Sequence, residues 1–173
     1  LNNIIFKLGQ TLRYSLETPS TTTTLERELR HLEDYLEILH FRFKDKLNYS
    51  IHVHPNLNLQ RIALLPLILQ PIVENAVKHG FSTKKKGGMI DINAFTRNNN
   101  LIITITDNGC GIPADKLDML NKELSLYKET VAGSHIGMQN VSNRIKLYYG
   151  DEYGLNIQSI EGEGTTVTIE IPY

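Results

Sequence analysis

With 173 residues, 40% of them hydrophobic and 21% charged, the chain has enough apolar material for a core and no compositional sign of disorder. A net charge of -1 argues against a nucleic-acid partner held by bulk electrostatics, and the one basic cluster, residues 84–86 beside Gly87 and Gly88, reads as a solvated loop. Cys110 is the single cysteine, which excludes an internal disulfide and a Cys-based metal site and fits a reducing compartment.

Residues 1–16 place Ile4, Ile5, Leu8, Leu12 and Leu16 on one face at helical spacing. A low-complexity link, PSTTTT at 19–24, breaks that helix. Thr23 with Glu26 forms a capping box for a second helix, along which Leu25, Leu29, Leu32, Leu36 and Leu39 repeat. Both leucine faces need burial, which predicts that the two helices pair with something. The period then changes to two in Leu47, Tyr49, Ile51 and Val53, a strand signal that sets a boundary near residues 45–46. The longest apolar stretch, residues 62–73, contains Pro66, Gln70 and Pro71 and falls short of the ~20 residues that span a bilayer. No signal peptide opens the chain, so any membrane anchor is expected outside these residues.

A helix is expected over about 65–79, with Pro66 in its first turn, Pro71 bending it or delaying its start, and Gly80 capping its end. Strands follow near 89–95 and 101–106, joined by an Asn-rich hairpin link at 97–100. Pro113 opens a short helix to about Leu120; the polar segment 121–134 has no clear period and reads as a functional loop or lid. A helix over 137–149 ends at Gly150, and strands near 155–160 and 165–171 flank the turn EGEG. These elements predict an α+β fold, a two-layer α/β sandwich of a mixed sheet with three helices on one face, preceded by an α-helical hairpin segment.

Four segments carry chemistry. DNGCGIP at 107–113 follows an alternating strand and offers a carboxylate and two glycines, Gly109 and Gly111, that let backbone wrap closely around a base. The same string also suits a plain turn. Glu74, Asn75, Lys78 and His79 sit on the helix ending at Gly80, with Asn75, Lys78 and His79 toward a common side. An Asn oxygen can ligate Mg²⁺, which keeps waters and shares substrate phosphates, although cations at a helix C-terminus are favourable without any ligand. In GSHIGMQN, 133–140, a new helix begins, and its free N–H groups could attract phosphate. GEGT at 162–165 reads by default as a hairpin turn.

In the order ENAVKHG, DNGCGIP, HIGMQN and GEGT, the four resemble the nucleotide-binding signature of the ATPase/kinase superfamily shared by sensor histidine kinases, DNA gyrase, Hsp90 and MutL. LRYSL at Leu12, LERELRHLEDYLEILHFRF, LLPLILQPIVENAVKHG and the stretch from Asn140 onward are similar to sensor histidine kinases of the LytS and YesM type, over essentially the whole chain. The resemblance implies a Bergerat-type ATP-binding domain at 47–173, preceded at 1–46 by the C-terminal part of a dimerisation and phosphotransfer helical region. It implies that Asp107 accepts from the adenine amino group, Gly109 and Gly111 pass close to the base, Asn75 ligates Mg²⁺, and Lys78 and His79 lie near the phosphates. Gly137 becomes the lid hinge, Thr165 lies near the adenine end, and Glu74 is a candidate for polarising attack on the γ-phosphate.

By the same resemblance the γ-phosphoryl passes to a histidine and then to a response regulator, within a homodimer built through the N-terminal helices. The chain would be the cytoplasmic portion of a bacterial inner- or plasma-membrane protein. Two departures stand out. His135 replaces the first glycine of the lid motif, and the Asn-Pro-His-Phe motif that carries the phosphoacceptor is absent. His31 and His40 lack its neighbours, and His52 and His54 alternate on a strand and read as exposed, so the acceptor is expected upstream. The rival readings are a nucleotide-binding interaction module without kinase activity and an ATP hydrolase. The latter is disfavoured by Pro71 where the hydrolases carry an acid four positions before the metal-binding Asn.

Overall fold

The computed structural model describes residues 2–16, 21–81, 86–126 and 136–173. Helix α1 (Asn2–Leu16) is followed by strand β1 (Thr23–Thr24), helix α2 (Leu25–Phe43), strand β2 (Leu47–Val53) and strand β3 (Ala63–Leu64). Next come α3 (Gln70–Asn75), β4 (Gly88–Arg97), β5 (Asn100–Asp107), α4 (Ala114–Ser125), α5 (Ile136–Tyr149), β6 (Gly154–Ile160) and β7 (Gly164–Pro172). Residues 19 and 20 of the link, Lys84 and Lys85 of the basic cluster, residues 127–134 of the segment expected as a lid at 121–134, and His135 lie outside the described residues.

Five strands form one mixed sheet in the order β2-β4-β5-β7-β6. The pair β2 and β4 is parallel and the other pairs are antiparallel. One face is apolar and carries Ile90, Ile92, Leu101, Ile103, Ile105, Val167 and Ile169 in the buried core, with α3, α4 and α5 as the helical layer. The opposite face presents Ser50, Asp91, Asn93, Thr104, Thr106, Thr166 and Thr168, all partly exposed, as suits an antiparallel sheet solvated on one side. The β4–β5 link is tighter than its composition alone requires: Asn98 and Asn99 have φ of 53° and 64°, the left-handed pair that a two-residue hairpin turn demands.

Local signals shift by a residue or more where tertiary contacts compete. Both threonines pair in the small β1–β3 ribbon, but Thr24, not Thr23, caps α2, accepting from the Arg27 N–H at 3.3 Å, while the Thr23 side chain is buried and its hydroxyl oxygen accepts from the Tyr14 hydroxyl at 3.3 Å. Helix α3 starts at Gln70 rather than near 65, with Pro71 in its first turn, and continues as a wider π-helical turn over Ala76–Gly80. Helix α4 runs on to Ser125 because Leu120 and Leu124, one turn apart, are both buried. The leucine face of α2 does not await a partner, since Leu25, Leu32 and Leu36 are fully buried in the same core as the sheet. Helix α1 does keep an uncovered apolar face, with Leu12 56% and Leu16 84% exposed.

The late start of α3 has a clear cause. Leu67 adopts φ 57°, a conformation uncommon outside glycine, and two charges hold it, one buried and one half-buried. Glu28 of α2, 1% exposed, accepts from the N–H groups of Leu67 at 2.8 Å and Ile68 at 3.3 Å, and from the Tyr14 hydroxyl of α1 at 2.8 Å. From the other side the Arg144 guanidinium of α5 donates to the carbonyls of Pro66 at 2.6 Å and Leu67 at 3.4 Å. Burial pulls the Arg144 guanidinium down and the Glu28 charge opposes that pull.

At the other end of the sheet, glycines allow backbones to touch. Gly111 has φ +66°, and a Cβ there would stand 2.0 Å from the Ile160 carbonyl oxygen. Gly162, at φ +87°, faces open space. We predict that Glu28→Ala, which strands two buried N–H donors, costs roughly 2–4 kcal/mol in urea unfolding; a loss below about 0.5 kcal/mol would exclude the clamp. Gly111→Ala should cost more than Gly162→Ala, whose left-handed penalty alone is about 1–2 kcal/mol. Equal losses in the two variants would show that the Ile160 contact yields freely.

Candidate functional site

A cavity of about 470 Å³ opens between α3, α4, α5 and the adjoining ends of β5 and β7. Its size is that of a small-molecule site, and its mix of apolar walls with a few convergent polar groups is the usual one. Ile72, Ile105, Leu120, Met138 and Val167 supply apolar wall, while Asn75, His79, Asp107 and Thr165 supply polar groups.

Asp107 ends β5 and is 6% exposed. Its Oδ1 accepts from the Gly109 N–H at 2.8 Å, which turns the chain back under the carboxylate. Only glycine fits at 109, since a Cβ would stand 2.4 Å from both Cα and O of Gly80. The Cys110 N–H then donates to the Gly80 carbonyl at 2.9 Å, pinning the end of the π-helical turn on the DNGCG loop. Thr165 is the cross-strand partner of Asp107, and its hydroxyl shares a hydrogen bond with Ser159 at 2.9 Å. One loop, one helix end and one strand therefore meet at the Asp107 carboxylate.

Asn75 lies farther along α3. Its amide nitrogen donates to the Pro71 carbonyl at 2.8 Å, leaving the harder donor atom, Oδ1, for whatever enters the cavity. Gly137 of α5 abuts it: a Cβ there would stand 3.6 Å from the Asn75 amide nitrogen and 3.6 Å from Pro71 Cβ. No group of three or more His, Cys, Asp or Glu side chains gathers into a metal cluster among the described residues, so a cation beside Asn75 would draw its remaining ligands from water and a bound phosphate.

The structure separates the expected residues into two sets. Asn75, His79, Asp107, Gly111 and Thr165 line the cavity; Gly109 and Gly137 pack directly behind that lining. Lys78 is exposed and Glu74 faces elsewhere, its carboxylate accepting from the Gln70 side chain at 2.7 Å. Lys116 lines the cavity and was not singled out in the sequence, where only its place one turn after Pro113 could have flagged it. A further set was invisible as a pattern. Gln139, Ser142 and Lys146 of α5 donate to the carbonyls of Glu123 and Leu124 at 3.0, 2.9 and 2.6 Å. They cap the end of α4, and burial pulls the Lys146 ammonium down.

Four histidines lie away from the cavity in different surroundings. His31 is buried, with Nε2 2.6 Å from the Gln70 Oε1; His40 meets the Leu47 carbonyl at 2.6 Å. His52 is exposed beside Asp91 at 3.5 Å, and His54 is exposed just past β2. No helix among the described residues is long and apolar enough to cross a membrane.

Comparison with known proteins bears on the family and the fold. Residues 1–47 match the family described as histidine kinase. The chain is 35% identical over 170 residues to the sensor protein LytS of Staphylococcus haemolyticus, covering 98% of this chain and 28% of that protein. It is 31% identical over 169 residues to the sensor protein kinase HptS of Staphylococcus aureus (strain USA300), covering 98% of this chain and 32% of that one. The chain thus spans less than a third of the length of these relatives. In fold it is similar to the histidine kinase domain of the Erythrobacter litoralis EL346 blue-light activated histidine kinase, with a TM-score of 0.59 at 17% identity over 99% of this chain and 73% of that one. The catalytic domain of histidine kinase ThkA gives 0.61 at 16% identity, covering 88% and 96% of the two chains. Residues 61–173 match the family described as histidine kinase-, DNA gyrase B-, and HSP90-like ATPase, and the chain belongs to that family.

Proposed function

We propose that this chain is the ATP-binding catalytic portion of a two-component sensor histidine kinase, passing the γ-phosphoryl of ATP to a histidine outside these residues and thence to a response regulator. The observation that carries the proposal is one cavity lined by a buried carboxylate, an Asn side chain and a histidine, Asp107, Asn75 and His79. The resemblance of the relatives over nearly the whole chain supports it.

Asp107 accepts from the adenine amino group; a carboxylate has several acceptor sites, of which the Gly109 N–H takes one. Gly109 and Gly111 keep that wall free of side chains, and Thr165 flanks the base across the strand pair. Asn75 would hold a Mg²⁺ ion, which when bound supplies charge neutralisation at the phosphates. His79 lines the phosphate end of the cavity and Lys78 lies one position before it; Gly137 lets α5 begin close to Asn75. Glu74, directed toward α2 rather than into the cavity, serves the incoming acceptor imidazole. Catalysis of this kind is chiefly positioning and charge neutralisation. Pro71 stands four positions before Asn75 and presents its carbonyl to that side chain, so no carboxylate occupies the position from which a hydrolase would activate water.

The apolar face of α1 supplies the dimer contact, as α2 has spent its own leucines on the core. The portion described here works on the cytoplasmic side, tied to a membrane through segments outside these residues.

Two measurements test these assignments. Calorimetry should show Mg·ATP binding that Asp107→Ala weakens at least about 10-fold, the loss of a charge-assisted hydrogen bond in a buried site; unchanged affinity would sink the adenine assignment. In a version extended upstream, label from γ-phosphate-labelled ATP should appear as an acid-labile, base-stable adduct, whereas phosphate release without label indicates hydrolysis and binding alone an interaction module. For the dimer, light scattering should give twice the monomer mass and Leu12→Glu should halve it; a strict monomer at high concentration counts against α1 pairing.

A further inference from the structure

Glu74 is set apart from the cavity-lining residues around it, and its surroundings show why. Its Oε1 accepts from the Gln70 amide nitrogen at 2.7 Å, one turn earlier on α3. The Gln70 Oε1 in turn lies 2.6 Å from Nε2 of His31, across on α2. A carboxylate only accepts, so the Gln70 nitrogen must face Glu74 and its oxygen must face His31. His31 Nε2 therefore carries the proton and donates it into the Gln70 oxygen. Consistently, His31 Nδ1 is buried with no hydrogen-bond partner. The imidazole cannot easily turn, because it is 5% exposed and stacks on the Tyr14 ring of α1 at 4.4 Å and 28°. Tyr35, also on α2, lies within the field of Glu74: burial first, then the Glu74 charge, push its hydroxyl up to about 12.

We propose that His31 and Gln70 are positioning residues for Glu74: the Gln70 amide, held at its oxygen by the His31 N–H, steadies the Glu74 carboxylate on the side of α3 that looks toward the N-terminal helices. The donors run in one direction, from imidazole to amide to carboxylate, so loss of the imidazole N–H releases the far end of the amide. This inference rests on the reading above that Glu74 serves the acceptor, and it adds the means by which α1 and α2 set the orientation of that carboxylate. Tyr14, stacked on His31 and bonded to Glu28, is where α1 enters the arrangement.

The test uses the version extended upstream that takes up label, with phosphoryl transfer followed at saturating ATP and analogue affinity measured separately. His31→Phe keeps the ring and its stack on Tyr14 but removes the donor. Gln70→Met, at a half-buried position at the start of α3, removes both amide contacts and keeps the fold intact should His31→Phe not. Each should slow transfer about 10-fold, the scale of a misplaced catalytic group, with analogue affinity unchanged. His31→Gln, which restores a donor, should recover most of the rate. In a Glu74→Gln background neither change should slow transfer further. If Glu74→Gln is slow while Gln70→Met keeps the full rate, the relay is overturned and the role of Glu74 stands. If Glu74→Gln itself keeps the full rate, the reading of Glu74 fails and the relay fails with it. The Gln70 side-chain amide resonance gives a second readout, expected to shift in both Glu74→Gln and His31→Phe; no shift in His31→Phe would overturn the link to α2.

Discussion

The turn at Pro66–Leu67 is the constraint on which the remaining architecture depends. Two charges are withdrawn from water around it, an arrangement that is expensive unless every polar atom finds a partner. Glu28 and Arg144 meet this requirement through the turn's own backbone, the carboxylate taking its N–H groups and the guanidinium its carbonyls. A left-handed leucine, which by itself costs ~1–3 kcal/mol, is thereby the lowest-energy choice. From that turn α3 departs in the direction that sets Asn75 against Gly137, while α2 and α5, far apart in sequence, become fixed to a common point. The small β1–β3 ribbon adds a second tie from the start of α2 to the segment leading into the turn.

The cavity is the complementary case, in which space is created by leaving side chains out. Gly80, Gly109 and Gly164 stand where a Cβ would collide with Asp107, with Gly80 or with the backbone of residues 107 and 108. Packing this close brings three chain segments to one carboxylate without filling the volume in front of it. The polar ends are few and each is braced: Asp107 by Gly109, Asn75 by Pro71 and Thr165 by Ser159. Such bracing limits how far a ligand can reorganise the groups that receive it, which is what preorganisation means in energetic terms.

Much of this was legible in the residues because local and global preferences agree. The Asn-rich link between two alternating strands pointed to a hairpin, and the four motifs fall at element ends, where chemistry-bearing side chains are exposed to a cavity. What escaped were features decided by distant partners. Thr23 and Thr24 are equivalent as caps until the Tyr14 hydroxyl claims the first. Pro66 is an acceptable first-turn residue until Glu28 and Arg144 stabilise a left-handed Leu67 beside it. The α2 leucine repeat reads equally as a dimer seam or as a core face, and only the sheet beneath it decides. The direction of Glu74 follows from Gln70 and His31, which lie 39 residues apart in sequence, a juxtaposition no local pattern encodes.

The strand order carries a consequence for how the molecule assembles. β4 and β5 meet through a two-residue turn, whereas β7, whose Thr165 pairs with Asp107, follows β5 in the chain only after α4, α5 and β6. Contacts between residues so far apart in sequence form slowly, since loop closure precedes any reward. The cavity straddles that late seam, so a molecule bound there engages groups that coexist only in the finished fold. Binding and folding are then two views of one equilibrium: each tenfold excess of ligand over its dissociation constant deepens the native state by about 1.4 kcal/mol, and the segments that meet last gain most from being occupied.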